Sequence, residues 1–124
     1  EYMYEPVVLN KVNTEQKYIS RVQEGFKEVL TLSGTGANYV DISFKPAGKT
    51  GTSESFIDTN NDGMIDTETL SNTFVAYAPY DNPSVTFTII SPDIGYYSNG
   101  YTIRSYVNRR ISYEVSKKYF EIYK

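Results

Sequence analysis

The chain of 124 residues has no cysteine, no histidine and no tryptophan. Without cysteine there is no disulfide, no thiolate nucleophile and no cysteine-held metal. Without histidine the commonest general base and metal ligand is gone, so acid–base chemistry within the chain rests on Lys, Tyr or carboxylates. No apolar run approaches the roughly 18 residues of a membrane span, and no stretch reads as a signal peptide. An excess of positive charge is missing too. Lys and Arg number 12 against 15 Asp and Glu, for a net charge of −3, which gives no electrostatic reason to expect nucleic acid.

What is present is a globular composition: 40% hydrophobic, 22% charged and 15% aromatic, with 13 tyrosines. The length suits one domain, spanning 1–124, with one modest core. Glu54, Asp58, Asp62, Asp66 and Glu68 form an acidic stretch, while Arg104, Arg109, Arg110, Lys117, Lys118 and Lys124 make the C-terminus basic. Both read as solvated surfaces. The chain opens at Glu1 without Met, which reads as a piece of something longer.

Asn13 and Gln16 suit a helix start, and Ile19, Val22, Phe26, Val29 and Leu30 recur at three- and four-residue steps. This predicts a helix over about 14–32. Gly25 within that stripe suggests a close neighbour. Strands are predicted over about 39–52, 72–80 and 84–91, the last rich in β-branched residues. Residues 53–71 and 92–100 read as loops. A second helix is predicted over about 101–123, with Ile103, Val107, Ile111, Val115, Tyr119 and Ile122 as its apolar stripe. Three locally joined strands between two helices predict an α+β fold, an antiparallel meander with both helices packed on it.

The strongest motif is Ala47-Gly48-Lys49-Thr50-Gly51-Thr52-Ser53-Glu54, placed on a predicted strand. A lysine, two hydroxyls and a glycine make an edge suited to a carboxylate. This stretch resembles the Lys-Thr-Gly motif of the penicillin-binding proteins, the D,D-transpeptidases that cross-link peptidoglycan. The resemblance continues through Val22–Phe26 and Ser33-Gly34-Thr35-Gly36 before the motif, and through Phe74–Pro79 and Asn108–Phe120 after it. The pattern is most similar to the class B, monofunctional type, and the three strands would be the third to fifth of that sheet.

The resemblance implies roles. Lys49 supplies positive charge beside the nucleophile and the substrate carboxylate, and the Thr50 and Thr52 hydroxyls bond that carboxylate. Gly51 lets backbone and substrate approach. The Thr52 backbone N–H is half of an oxyanion hole, and the substrate peptide lies along the strand edge. The partners implied are a peptidoglycan stem peptide and β-lactams, met by a membrane-anchored parent at the outer face of the bacterial cytoplasmic membrane, in cell-wall and cell-shape work. A β-lactam sensor or a serine β-lactamase would carry the same motif.

The family's Ser-x-x-Lys and Ser-x-Asn motifs should precede Lys-Thr-Gly, and neither occurs in this chain. The chain is therefore expected to be the C-terminal part of a transpeptidase domain, inactive by itself, whose N-terminal part would cover strand 84–91. Uncovered, that edge invites self-association.

Asp58, Asn60, Asp62, Gly63 and Asp66 are spaced like an EF-hand or dockerin calcium loop, but position 12 is Thr69 and Glu68 falls one residue early. An acidic hairpin loop with no cofactor is the plainer reading, with a calcium or cell-surface binding module as the alternative. Gly48-Lys49-Thr50 mimics the end of a phosphate loop, but Ser43 stands where its first glycine is required. Tyr96, Tyr97 and Tyr101 read as packed or rim aromatics rather than a stacking surface.

Overall fold

A computed structural model describes residues 5, 7–98, 101–104 and 106–123, without the side chains of 97–104. Helix α1 (Gln16–Val29) leads through turns to a short 3-10 turn, Ile42–Phe44. Four strands follow: β1 (Ala47–Ile57), β2 (Thr67–Ala78), β3 (Val85–Ser98) and β4 (Tyr101–Arg104). Helix α2 (Val107–Ile122) closes the chain. The sheet is antiparallel in the order β1-β2-β3-β4, the α+β meander expected, with one strand more.

Several boundaries differ from the sequence reading, each for a local reason. Residues 39–46 are not strand. The Asp41 carboxylate caps the Ser43 N–H, and Lys45 takes a left-handed φ of 52°, turning the chain into Pro46 before β1 begins. The sheet also reaches further into both predicted loops. Residues 92–98 stay in β3 because a bulge absorbs the irregularity: pairing slips between Leu70 and Asn72, and Asp93 adopts φ 53°. The Thr69 hydroxyl donates to the Asp93 carboxylate, and the Asp93 N–H donates to the Ser71 hydroxyl, so side chains of β2 meet the polar groups that the bulge frees. Residues 101–104 pair as β4 rather than starting the helix; residues 99, 100 and 105 lie outside the described residues.

The core is small. Leu30, Val40, Phe74 and Ala76 are buried together, with Val29, Tyr39, Phe44 and Phe87 against them. Phe74 contacts the rings of Tyr39 and Phe87 at 4.5 and 5.9 Å. Only the end of α1 joins this core. Ile19 and Val22 are exposed, and nothing lies near Gly25, so the expected close neighbour is absent among the described residues.

Helix α2 presents a different face from the predicted one. Asn108, Ser112, Ser116 and Phe120, stepping by four, are buried on the sheet. Ile111, Val115 and Ile122 of the apolar stripe are 42%, 51% and 58% exposed, and Ile103 belongs to β4. Small side chains let the helix approach the sheet closely, and Phe120 stacks on Phe44 at 4.3 Å to anchor its far end.

Candidate functional site

Strand β1 places the motif. Thr50 is opposite Phe74, Gly51 opposite Thr73 and Thr52 opposite Asn72. Strand alternation puts Thr50 and Thr52 on the face covered by α2, and Lys49 and Gly51 on the other. Glycine is required at 48 because a Cβ there would strike the Val75 carbonyl oxygen; a Cβ at Gly51 would meet the Thr73 hydroxyl, an exposed side chain that would have to turn aside. At Gly51 the visible constraint is thus the neighbouring strand, in addition to the substrate approach that the sequence suggested.

A cleft of about 510 Å³ opens beside these threonines, lined by Thr35 and Asn38 from the turn after α1, by Thr50, Gly51 and Thr52, by Asn72, and by Tyr106 and Arg109 at the start of α2. The Thr50 hydroxyl has a marginal 3.5 Å contact with that of Thr35, which leaves it free to serve a ligand. The Thr52 hydroxyl donates to Asn72 Oδ1 at 3.2 Å. Lys49 is exposed and is not a lining residue. Its ammonium donates to the Thr50 carbonyl oxygen at 2.6 Å. The structure thus brings Thr50, Gly51 and Thr52 together at one cleft and leaves Lys49 beside it.

Behind the cleft lies a buried polar network that the sequence reading missed. The Asn108 amide donates to the Asn72 main-chain oxygen at 3.0 Å, while Asn108 Oδ1 accepts from the Ser91 hydroxyl. The Ser112 hydroxyl bonds the Asn108 carbonyl oxygen at 2.7 Å. Asn108, 1% exposed, ties α2 to both β2 and β3. The available signal was the four-residue spacing of Asn108, Ser112 and Ser116, which hydropathy discards as surface.

The candidate calcium residues sit at the β1–β2 hairpin tip. Asp58 accepts from the Gly63 N–H at 2.8 Å, Asn60 from the Asp62 N–H at 3.1 Å, and Asp62 from the Met64 N–H at 2.8 Å. Asn61 and Gly63 have φ of 59° and 87°. Asp58 Oδ1 is buried without a hydrogen-bond partner. Even so, no three acidic side chains converge to hold a metal ion among the described residues. Asp66 bonds Thr67 instead.

Residues 2–112 match the family model described as "Penicillin binding protein transpeptidase domain". The chain belongs to the family of penicillin-binding protein transpeptidase domains. It is 39% identical over 118 residues to penicillin-binding protein 2A of Bacillus subtilis, covering 95% of this chain and 16% of that protein. It is 38% identical over 91 residues to penicillin-binding protein H of Bacillus subtilis (72% of this chain, 12% of that protein). Penicillin-binding protein 2B of Streptococcus pneumoniae is 34% identical over 102 residues (77% and 14%). The chain thus spans about a sixth or less of the length of these relatives. No solved structure matches it.

Proposed function

We propose that this chain is the Lys-Thr-Gly wall of a serine D,D-transpeptidase that cross-links peptidoglycan stem peptides outside the cytoplasmic membrane. The observation that carries this reading is the convergence of the Thr50 and Thr52 hydroxyls on one cleft beside the open β1 edge, in a chain of this family. In the whole protein a serine outside this chain attacks the carbonyl between two D-alanines. The C–N bond breaks, the terminal D-alanine leaves with the proton taken from the serine, and an acyl ester remains. An amine on a neighbouring stem peptide then displaces the serine. Thr50 and Thr52 hold the terminal carboxylate during acylation, until it departs with the leaving D-alanine, and the Thr52 N–H steadies the developing oxyanion in both steps. Engaging a ligand with Thr52 requires its proton to swing away from Asn72, whereas Thr50 is already available.

Mass spectrometry with penicillin tests this. The full-length protein is expected to gain the mass of the intact drug, and the 124-residue chain, lacking Ser-x-x-Lys, to gain nothing. Thr50→Val in the full-length protein is expected to slow acylation by roughly 10- to 100-fold, as loss of a hydrogen bond to a charged group should. An adduct on the chain alone would remove the assignment of the nucleophile to another segment, and rapid drug hydrolysis would favour a β-lactamase.

For the 58–66 hairpin we propose a self-closed turn without a bound ion, because one carboxylate oxygen each of Asp58 and Asp62 already accepts from the hairpin's own N–H groups and Asp66 turns to Thr67. Calorimetry with Ca²⁺ checks this. Binding heat that disappears in Asp62→Ala would reverse it.

A further inference from the structure

Arg109 is the single charged residue among those lining the cleft. Every other polar group there is an amide or a hydroxyl, and no acid lines it. Arg109 is exposed, and no carboxylate is within salt-bridge distance of it among the described residues. Its guanidinium lies over the Tyr106 ring, 5.5 Å from the centroid, a contact that steers the side chain.

The mounting is firm. Arg109 directly follows Asn108, which is buried and bonded to β2 and β3 at once. The same network runs through Asn72 to Thr52, so the elements that carry Arg109 and Thr52 into the shared cleft are tied to each other. A planar cation sharing a cleft with hydroxyl donors, with no acid lining it, fits a carboxylate. Arg110 supplies an internal contrast: it sits on the same helical turn but does not line the cleft.

We infer that Arg109 is a specificity-determining residue whose guanidinium binds the carboxylate of the ligand held between Thr50, Thr52 and Asn72. The inference rests on the transpeptidase reading. It adds a cation from the C-terminal helix to the hydroxyl donors of β1, and so a preference for ligands ending in a free carboxylate.

The test uses the full-length protein and two probes, penicillin and its methyl ester, with acyl-enzyme formation followed by mass spectrometry. Arg109→Gln is expected to slow acylation by penicillin about tenfold and leave the ester unchanged, since only the acid carries the charge. Arg109→Lys keeps the charge without the fork and should recover part of the loss. Arg110→Gln should behave as wild type. Added salt should shrink the difference between wild type and Arg109→Gln. If Arg109→Gln slows both probes equally, or neither, the inference is overturned while the transpeptidase reading stands. A wild-type protein that takes up no penicillin overturns that reading and this inference with it.

Discussion

The two sides of α2 invert the usual arrangement. Its sheet-facing side carries Asn108, Ser112 and Ser116, essentially closed to solvent, and its outer side carries Ile111, Val115 and Ile122, about half exposed. Helix α1 repeats the outer pattern with Ile19 and Val22. Buried polar groups are costly unless bonded, and here each serine and the asparagine finds a partner in the helix or in the strands below. The inner side is therefore specified by hydrogen-bond geometry and close approach. The outer side is specified by nothing else within the described residues. Its apolar residues fit an interface with a further surface, as an unpaired apolar patch generally does.

The contrast can be broken most severely at Asn108. Replacing it by Ala removes its bonds to the Asn72 carbonyl oxygen and the Ser91 hydroxyl from a buried site. This should cost about 2–3 kcal/mol, read by urea unfolding. Asn108→Leu should cost as much, because the loss is of pairing rather than of volume; full stability in Asn108→Leu would show that packing alone seats the helix.

The next test exchanges the chemistry of the two sides. Ser112→Leu forces methylenes against the sheet and should cost about 1–3 kcal/mol. Val115→Ser on the outer side should stay within about 0.5 kcal/mol. Equal costs would mean that the outer side is covered after all.

The open edge of the sheet sharpens the same point. Strand β3 pairs with β4 only over Gly95–Ser98, so the outer edge of residues 85–94 has no strand partner among the described residues, and Ile90 is 67% exposed. We expect the isolated chain to dimerise through this edge and Ile90→Lys to restore the monomer, as measured by light scattering. A monomeric wild-type chain at high concentration would count against this.

The smallest effect is expected at the Lys45–Asp81 ion pair, which is 2.8 Å long and exposed. Hydrogen bonding to Lys45 lowers the Asp81 pKa below its ordinary 3.8, and Asp81 raises that of Lys45 above 10.5. The Asp81 contribution is present above its unfolded pKa and disappears as pH falls through the lowered one. The Lys45 contribution is complete below 10.5 and disappears as pH rises through the raised one. Asp81→Asn should therefore lower stability slightly between these limits and make no difference at the acid extreme, followed by thermal unfolding across pH.

Much of this was legible in the sequence. The Lys49-Thr50-Gly51 motif, β-branched strands and periodic helices marked the family, the α+β class and one wall of the cleft. Other parts were not legible, because local pattern does not record what packs against what. Pro92 and Gly95 look like loop residues, yet a bulge stitched by Thr69 and Ser71 keeps them in β3. Asn72 is an ordinary strand residue until register sets it opposite Thr52.

The sequence by itself determined which segments favour helix or strand and which residues bring hydroxyl and cationic groups to the motif, because propensity and side-chain type are local properties. The tertiary structure alone decided that Thr50 and Thr52, but not Lys49, share a cleft with Asn72 and Arg109, and that α2 rests on its polar side. Those outcomes depend on strand register and on hydrogen bonds between residues 36 apart in the chain, such as Asn108 and Asn72. Periodicity along one segment carries no information about either.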